Sequence, residues 1–188
     1  MVMYKSNFLT ALERTTRLGL TTPSIELSDA RFLTQKKLSE LPFAIRDVLG
    51  ELDENDVVAQ CLSLHMKMKP VIEQFLGCAV FYTIGWVQLE DRSMFKQTED
   101  SLSEMLKNGI PGPDVNIHAW LTLPSMEILD FTLPTTYAKV NNIKEGIGGA
   151  IAMHPSALTG GMMYHPMLVG EEFLLKTGAL RFFTTLGI

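Results

Sequence analysis

Cysteine, histidine and the aromatic residues are scarce in this chain of 188 residues, at two Cys, four His and 9% Phe, Trp and Tyr. Two cysteines, Cys61 and Cys78, are too few for a disulfide scaffold. If the segment between them is helical, as argued below, a rise of 1.5 Å per residue sets them roughly 25 Å apart, so both read as free thiols. An excess of cations is also lacking, with Lys and Arg at 16 against 21 Asp and Glu and a net charge of −5. The basic residues gather only as the pairs Lys36-Lys37 and Lys67/Lys69. A phosphate-binding face normally shows clustered Lys and Arg, so neither nucleic acid nor an anionic membrane is expected as the principal partner. No apolar run is long enough to span a bilayer. The first twenty residues mix charges into a helical pattern and lack the apolar core and cleavage site of a signal peptide. The expectation is a cytoplasmic protein, export without a cleaved signal being left open.

Recognisable ligand patterns are missing as well. His154 and His165, with Met153, Met162, Met163 and Met167, fit no established metal spacing. The glycine runs at 146–149 and 159–161 lack the Lys-Ser/Thr or strand-to-helix context of phosphate loops. No metal or cofactor is expected, and there is no internal repeat or low-complexity tract.

What is present is the composition of a globular protein, 46% hydrophobic and 20% charged, of a length that suits one domain. Within that domain, 1–52 reads as an N-terminal helical region, 53–134 as the core and 135–188 as an extension shaping a cleft. Apolar spacing predicts helices over 8–18, ended by Gly19, over 30–41, stopped by Pro42, and over 43–52, broken at Gly50. The acidic run Asp53-Glu54-Asn55-Asp56 offers N-caps ahead of a long central helix over 57–76, with Pro70 inside it and Gly77 as its stop. Residues 78–89 are β-branched and aromatic and predict a strand, with Gly85 marking a bulge or close approach. A surface helix or a partly ordered insertion is expected over 91–107, turn-rich loop over 108–114, one more strand or turn after Pro134, glycine-rich loop over 145–161, and short ordered elements at 171–175 and 180–183.

The most informative stretch is 116–133, NIHAWLTLPSMEILDFTL. Val115, Ile117, Ala119, Leu121 and Leu123 alternate with Asn116, His118, Trp120 and Thr122, the period of a strand. Residues 127–133 suit the return strand, with the turn at Pro124-Ser125. A three-residue turn is expected to set His118 opposite Asp130 on one face, and a carboxylate beside an imidazole fixes its tautomer and orientation for acid–base work. The simpler alternative is a hairpin whose His and Asp point into solvent.

Cys61 stands near the start of the central helix. A thiol at a helix N-terminus meets the partial positive charge of unpaired backbone N–H groups, which favours the thiolate. In the order Cys61, His118, Asp130 the chain therefore holds the parts of a nucleophilic triad. His65, four residues after Cys61 on the same helical face, is a rival base with no evident carboxylate partner.

The order resembles the transglutaminase-like group of papain-like cysteine enzymes. Cys61-Leu62-Ser63-Leu64-His65, running on to Leu76-Gly77-Cys78, resembles the family's nucleophile helix with its leucine-glycine stop. Thr83-Ile84-Gly85-Trp86-Val87 resembles the following strand. His118-Ala119-Trp120 and Asp130-Phe131-Thr132 resemble its histidine-alanine-tryptophan and aspartate strands. The resemblance covers about 56–133 and departs from the family pattern at Val58-Ala59-Gln60, which lacks the usual small Gly or Ser, and at Pro70. It implies an α+β fold with a papain-like, transglutaminase-like core, the nucleophile helix packed on an antiparallel sheet and extra helices at the N-terminus. It further implies an enzyme acting on an amide or thioester of a peptide or protein substrate, through attack by Cys61, proton transfer by His118 and orientation by Asp130. The backbone N–H of Cys61, with the side chains of Gln60 or Asn55, would serve the oxyanion, and Trp120 would wall the site or simply pack. The other outcomes are a fold that only binds a partner protein and an acyltransferase using a small thioester donor.

Overall fold

The computed structural model describes residues 3–110 and 116–180. Most of the loop expected over 108–114, Val115 of the alternating set, and 181–183 of the last expected element lie outside the described residues. In chain order the elements are α1 (Met3–Arg17), α2 (Gln35–Leu49), α3 (Glu54–Val57), α4 (Cys61–Leu76), β1 (Phe81–Leu89), β2 (Arg92–Met94), α5 (Glu99–Asn108), β3 (His118–Thr122), β4 (Ile128–Asp130), α6 (Leu133–Val140), β5 (Ile151–Met153), a 3-10 turn (Pro155–Ala157), β6 (Met163–Val169) and α7 (Glu172–Thr177). Strand neighbours follow the order β2-β1-β3-β4-β5, with β6 also on β1, and the registered ladders are antiparallel. The fold class is α+β. The chain gathers into two compact units, one of Met1–Ser24, Thr83–Ala119 and Pro155–Ile188, the other of Ile25–Tyr82 and Trp120–His154.

In the first unit, Tyr4, Phe8, Ala11 and Thr15 recur at helical spacing and bury one face of α1. That face is stitched to β6 by polar contacts. Thr15 Oγ1 donates to its own helix at Ala11 O (2.7 Å) and accepts from Val169 N (2.9 Å). Arg14 donates to Met167 O, and Glu99 of α5 accepts from Arg14 and Arg17. β1 pairs with β6 from Thr83↔Val169 to Gln88↔Met163, with the register shifting between Ile84 and Gly85. The bulge expected at Gly85 is there, opposite Pro166, which has no N–H to give the ladder.

In the second unit, Thr34 caps α2, which then runs through Pro42 and on to Leu49. One helix thus replaces the two expected on either side of that proline. Lys37 on its first turn reaches the far end of α4, donating to Phe75 O (2.7 Å). The acidic run does form a cap, Asp53 and Asp56 making a reciprocal capping box, but it caps the single-turn α3 and not the long central helix it was expected to open. The helix expected over 57–76 begins instead at Cys61, because Ala59 adopts a left-handed conformation (φ 57°) and breaks the path. Pro70 lies inside α4, and Gly77 ends it with φ 69°.

The 116–133 hairpin closes with a three-residue turn in which Met126 N donates to Leu123 O and Leu123 N to Glu127 O. Met126 takes the left-handed conformation (φ 66°) that completes this turn. Leu121 pairs with Leu129 and Thr122 with Ile128. Continued, that register sets Trp120 opposite Asp130, in the cross-strand position expected for His118, which lies two residues along the same face. Neither side chain points into solvent, His118 being 2% and Asp130 0% exposed. Glu127, also buried, accepts from Phe32 N, Leu33 N and Ser125 Oγ, tying the 25–34 connector to the turn.

Three further expectations differ from the structure. Residues 91–107 hold β2 as well as α5, Pro134 lies in the first turn of α6 where a strand or turn was expected to follow it, and the glycine-rich stretch carries β5 and a 3-10 turn.

Candidate active site

Cys61 is the first residue of α4, a position whose N–H has no intrahelical acceptor and lies at the positive end of the helix dipole. Two features put it there: the left-handed Ala59, whose N–H donates to Thr136 Oγ1 (3.2 Å), and Gln60, which starts the helix without a side-chain cap. The thiol side chain is almost buried, the residue being 8% exposed. Gln60 Oε1 accepts from Ser63 Oγ (3.0 Å), and Asn55 is an exposed residue of α3. Trp120 is fully buried.

His65 sits one turn further along α4, fully buried. Its Nδ1 lies 2.8 Å from Cys61 O, an acceptor, and its Nε2 lies 3.0 Å from Phe131 N, a donor. The two backbone partners assign a neutral ring protonated at Nδ1. Asp130 Oδ1 lies 3.6 Å from Nε2, a carboxylate neighbour that the sequence did not show for His65, and the two form an ion pair only when the ring is protonated. His65 ties the first turn of α4 to the end of β4 and is a poor candidate for the rival base.

Asp130 ends β4, and its Oδ1 accepts from Thr132 N, Thr132 Oγ1 and Leu133 N, each at 3.0 Å. Three donors on one oxygen hold the carboxylate still; one of them, Leu133 N, is the first N–H of α6, whose N-cap residue is Thr132. This capping role was readable in Asp130-Phe131-Thr132-Leu133-Pro134, where an aspartate and a threonine precede a proline in the first turn. Cys61, His65 and Asp130 thus share the second unit. His118 belongs to the first, where it opens β3 and stacks with Phe95 (centroids 5.0 Å apart, 21° between planes). Phe95 carries a left-handed backbone (φ 64°), unusual for an aromatic residue, and no sequence signal marks it.

Burial, reinforced by Glu73 and Glu127, pushes the Cys78 thiol up to about 11. A cleft of about 430 Å³ in the second unit is lined by Leu41 and Ile45 of α2, Leu64 and Met68 of α4, Phe131 and Ala152 among others. Leu64 and Met68 follow Cys61 at helical spacing, so the cleft runs along the helix that Cys61 begins. No group of three or more His, Cys, Asp or Glu able to hold a metal occurs among the described residues. No described helix is long and apolar enough to cross a membrane.

These features define an α+β protein with a thiol at a helix N-terminus, a carboxylate fixed at a strand end and, in the same unit, an apolar cleft whose lining includes neither of them. Comparison with protein-family models, curated proteins and solved structures found no match.

Proposed function

We propose that the chain is a cysteine-dependent hydrolase or acyltransferase of the transglutaminase-like kind, acting on an amide or thioester carbonyl of a peptide or protein. The observation that carries this reading is the placement of Cys61 as the first residue of α4, in one unit with an Asp130 carboxylate fixed by three local hydrogen bonds. In the proposed reaction Cys61 Sγ gives its proton to His118 and bonds to the carbonyl carbon. The tetrahedral oxyanion is received at the Cys61 N–H. As the carbon–nitrogen bond breaks, His118 returns the proton to the leaving nitrogen, and a thioester remains on Cys61. Water or an amine then displaces the thiol. The role given to His118 rests on chain order and on its place at the start of β3. The cleft along α4 supplies apolar walls of a size suited to a substrate side chain.

A second reading, a non-catalytic binding module, is favoured by one observation, that Asp130 already has a structural task as the cap of α6. Alkylation separates the two. By exposure alone the half-buried Cys78 should react before Cys61, which is 8% exposed. An activated Cys61 reverses that order: iodoacetamide at pH 7 should label it at least about tenfold faster than Cys78, read by peptide mass spectrometry. Slow labelling of both, or faster labelling of Cys78, would sink the enzyme reading.

A further inference from the structure

The cleft along α4 lies wholly in the second unit, and its lining separates an apolar interior from a charged edge. Leu41 and Ile45 of α2 and Leu64 and Met68 of α4 are buried and give it apolar walls. Thr135 brings a hydroxyl, but one already engaged, accepting from Gly148 N (3.0 Å) and lying 3.4 Å from Gly146 O. The charged residues of the lining are Arg46, in the last turn of α2, and Glu51, just past its Gly50 cap.

These two charges are not equivalent. The Arg46 guanidinium carbon sits 5.2 Å from the centre of the Phe43 ring, a cation–π contact within its own helix. Its side chain is 51% exposed, so the stem can lie against the cleft while the head stays at the edge. Glu51 lies outside the helix and is 87% exposed, with Oε1 3.6 Å from Arg46 Nη1, too far for a hydrogen bond. So exposed a pair is weak. An anion carried in by the cleft therefore displaces Glu51, whereas Arg46 stays, and the fixed charge at the edge is positive. An apolar cavity of about 150 Å³ holds benzene, and on that scale a cleft of about 430 Å³ admits an alkyl chain of roughly ten carbons or more.

We propose that this cleft binds a medium-chain carboxylate, its alkyl chain along Leu41, Leu64 and Met68 and its head group on Arg46 in place of Glu51. The lining includes neither Cys61 nor Asp130, so binding does not depend on the acyl-transfer reading and either can fail without the other. The test uses the full chain, labelled with carbon-13 in the methionine methyl groups and titrated separately with decanoate, decanol and decyltrimethylammonium, each below its micelle concentration. By isothermal titration calorimetry decanoate should saturate one site and bind roughly fivefold tighter than decanol. Nuclear Overhauser contacts from its chain should reach the Met68 methyl and not those of Met94 or Met163 in the first unit. Arg46→Gln should remove the advantage of decanoate and leave decanol as it was, while Glu51→Gln, which takes away the competing carboxylate, should tighten decanoate. Both side chains are at least half exposed, so neither change touches the core. Absence of saturable decanoate binding, decanol or the cation bound as tightly as decanoate, or contacts at the first-unit methionines would each overturn the proposal. An equal loss of decanol and decanoate in Arg46→Gln would do the same.

Discussion

Asp130 carries two roles at once, one in the fold and one in the proposed reaction, and they differ in what they ask of the side chain. Capping α6 needs an oxygen acceptor, which asparagine also provides, whereas orienting an imidazolium needs the negative charge. Asp130→Asn keeps an acceptor for Thr132 N and Leu133 N and should cost less than about 1.5 kcal/mol in urea unfolding. Asp130→Ala leaves those N–H groups and the Thr132 hydroxyl without their acceptor in a fully buried place and should cost about 2–4 kcal/mol. If the charge serves catalysis, both variants should lower acylation of Cys61 by about a hundredfold or more. Full acylation in a folded Asp130→Asn would leave the residue with the cap alone. His65 shows the same economy from the other side, since a histidine close to the thiol has both nitrogens committed to backbone groups and none left for proton transfer.

Elements were legible where residue pattern and tertiary burial agree. The capping box at Asp53, the bulge at Gly85 and the stop at Gly77 follow from local chemistry, whereas α1 starts at Met3, five residues before the expected 8, and buries Tyr4, Phe8, Ala11 and Thr15 while Leu9 is exposed. Pro42 misled, while Pro70 was rightly placed inside a helix; in both the local cost, about 3 kcal/mol in a helix interior, is offset by burial that no local rule sees. Leu41 and Ile45 flank Pro42, and Met68, Val71 and Ile72 flank Pro70, all buried. The start of α4 was misplaced for the converse reason: a left-handed Ala59 has no signature in sequence. Around the glycine-rich stretch, the conformation separates two glycines that look alike. Gly146 (φ 98°) would place a Cβ 2.9 Å from Pro134 O, while Gly148 (φ 71°) faces open space. Gly148→Ala should therefore cost about 1 kcal/mol from backbone strain alone, and Gly146→Ala at least about 2–3 kcal/mol from strain and backbone collision together. Equal urea midpoints for the two variants would contradict this. Further along, α7 is tethered through Glu172, whose carboxylate accepts from Thr21 N (2.5 Å) and pairs with Lys176 (2.9 Å). The Thr21 hydrogen bond, then Lys176, hold its carboxyl down to about 2 from an ordinary 4.5. Because the folded value is the lower one, the tether contributes fully above pH 4.5 and is lost as the pH falls towards 2. The stability difference between the unaltered chain and Glu172→Gln should be flat above pH 5 and shrink below it.

At the scale of the whole molecule the governing fact is how the chain is shared between its two compact units. It passes from one to the other at residues 24–25, 82–83, 119–120 and 154–155, and two of those passages fall inside strands, β1 and β3. Phe81 and Tyr82 belong to the second unit and the rest of β1 to the first, while His118 and Ala119 belong to the first and the rest of β3 to the second. Neither unit is a continuous stretch that could be cut free. Unfolding either one would unravel part of a strand that the other keeps, together with buried residues such as Tyr82 and Trp120 at the passages. Chains divided at linkers unfold domain by domain, but a division through strands removes the independence on which separate transitions depend. The expected outcome is a single calorimetric transition whose calorimetric and van't Hoff enthalpies agree, with near-ultraviolet signals from Trp86 in the first unit and Trp120 in the second lost together. A variant holding Phe in place of Trp86 and another in place of Trp120 give each unit its own tryptophan probe. Two midpoints, one for each tryptophan, would show the units to be thermodynamically separate in spite of the strands they share.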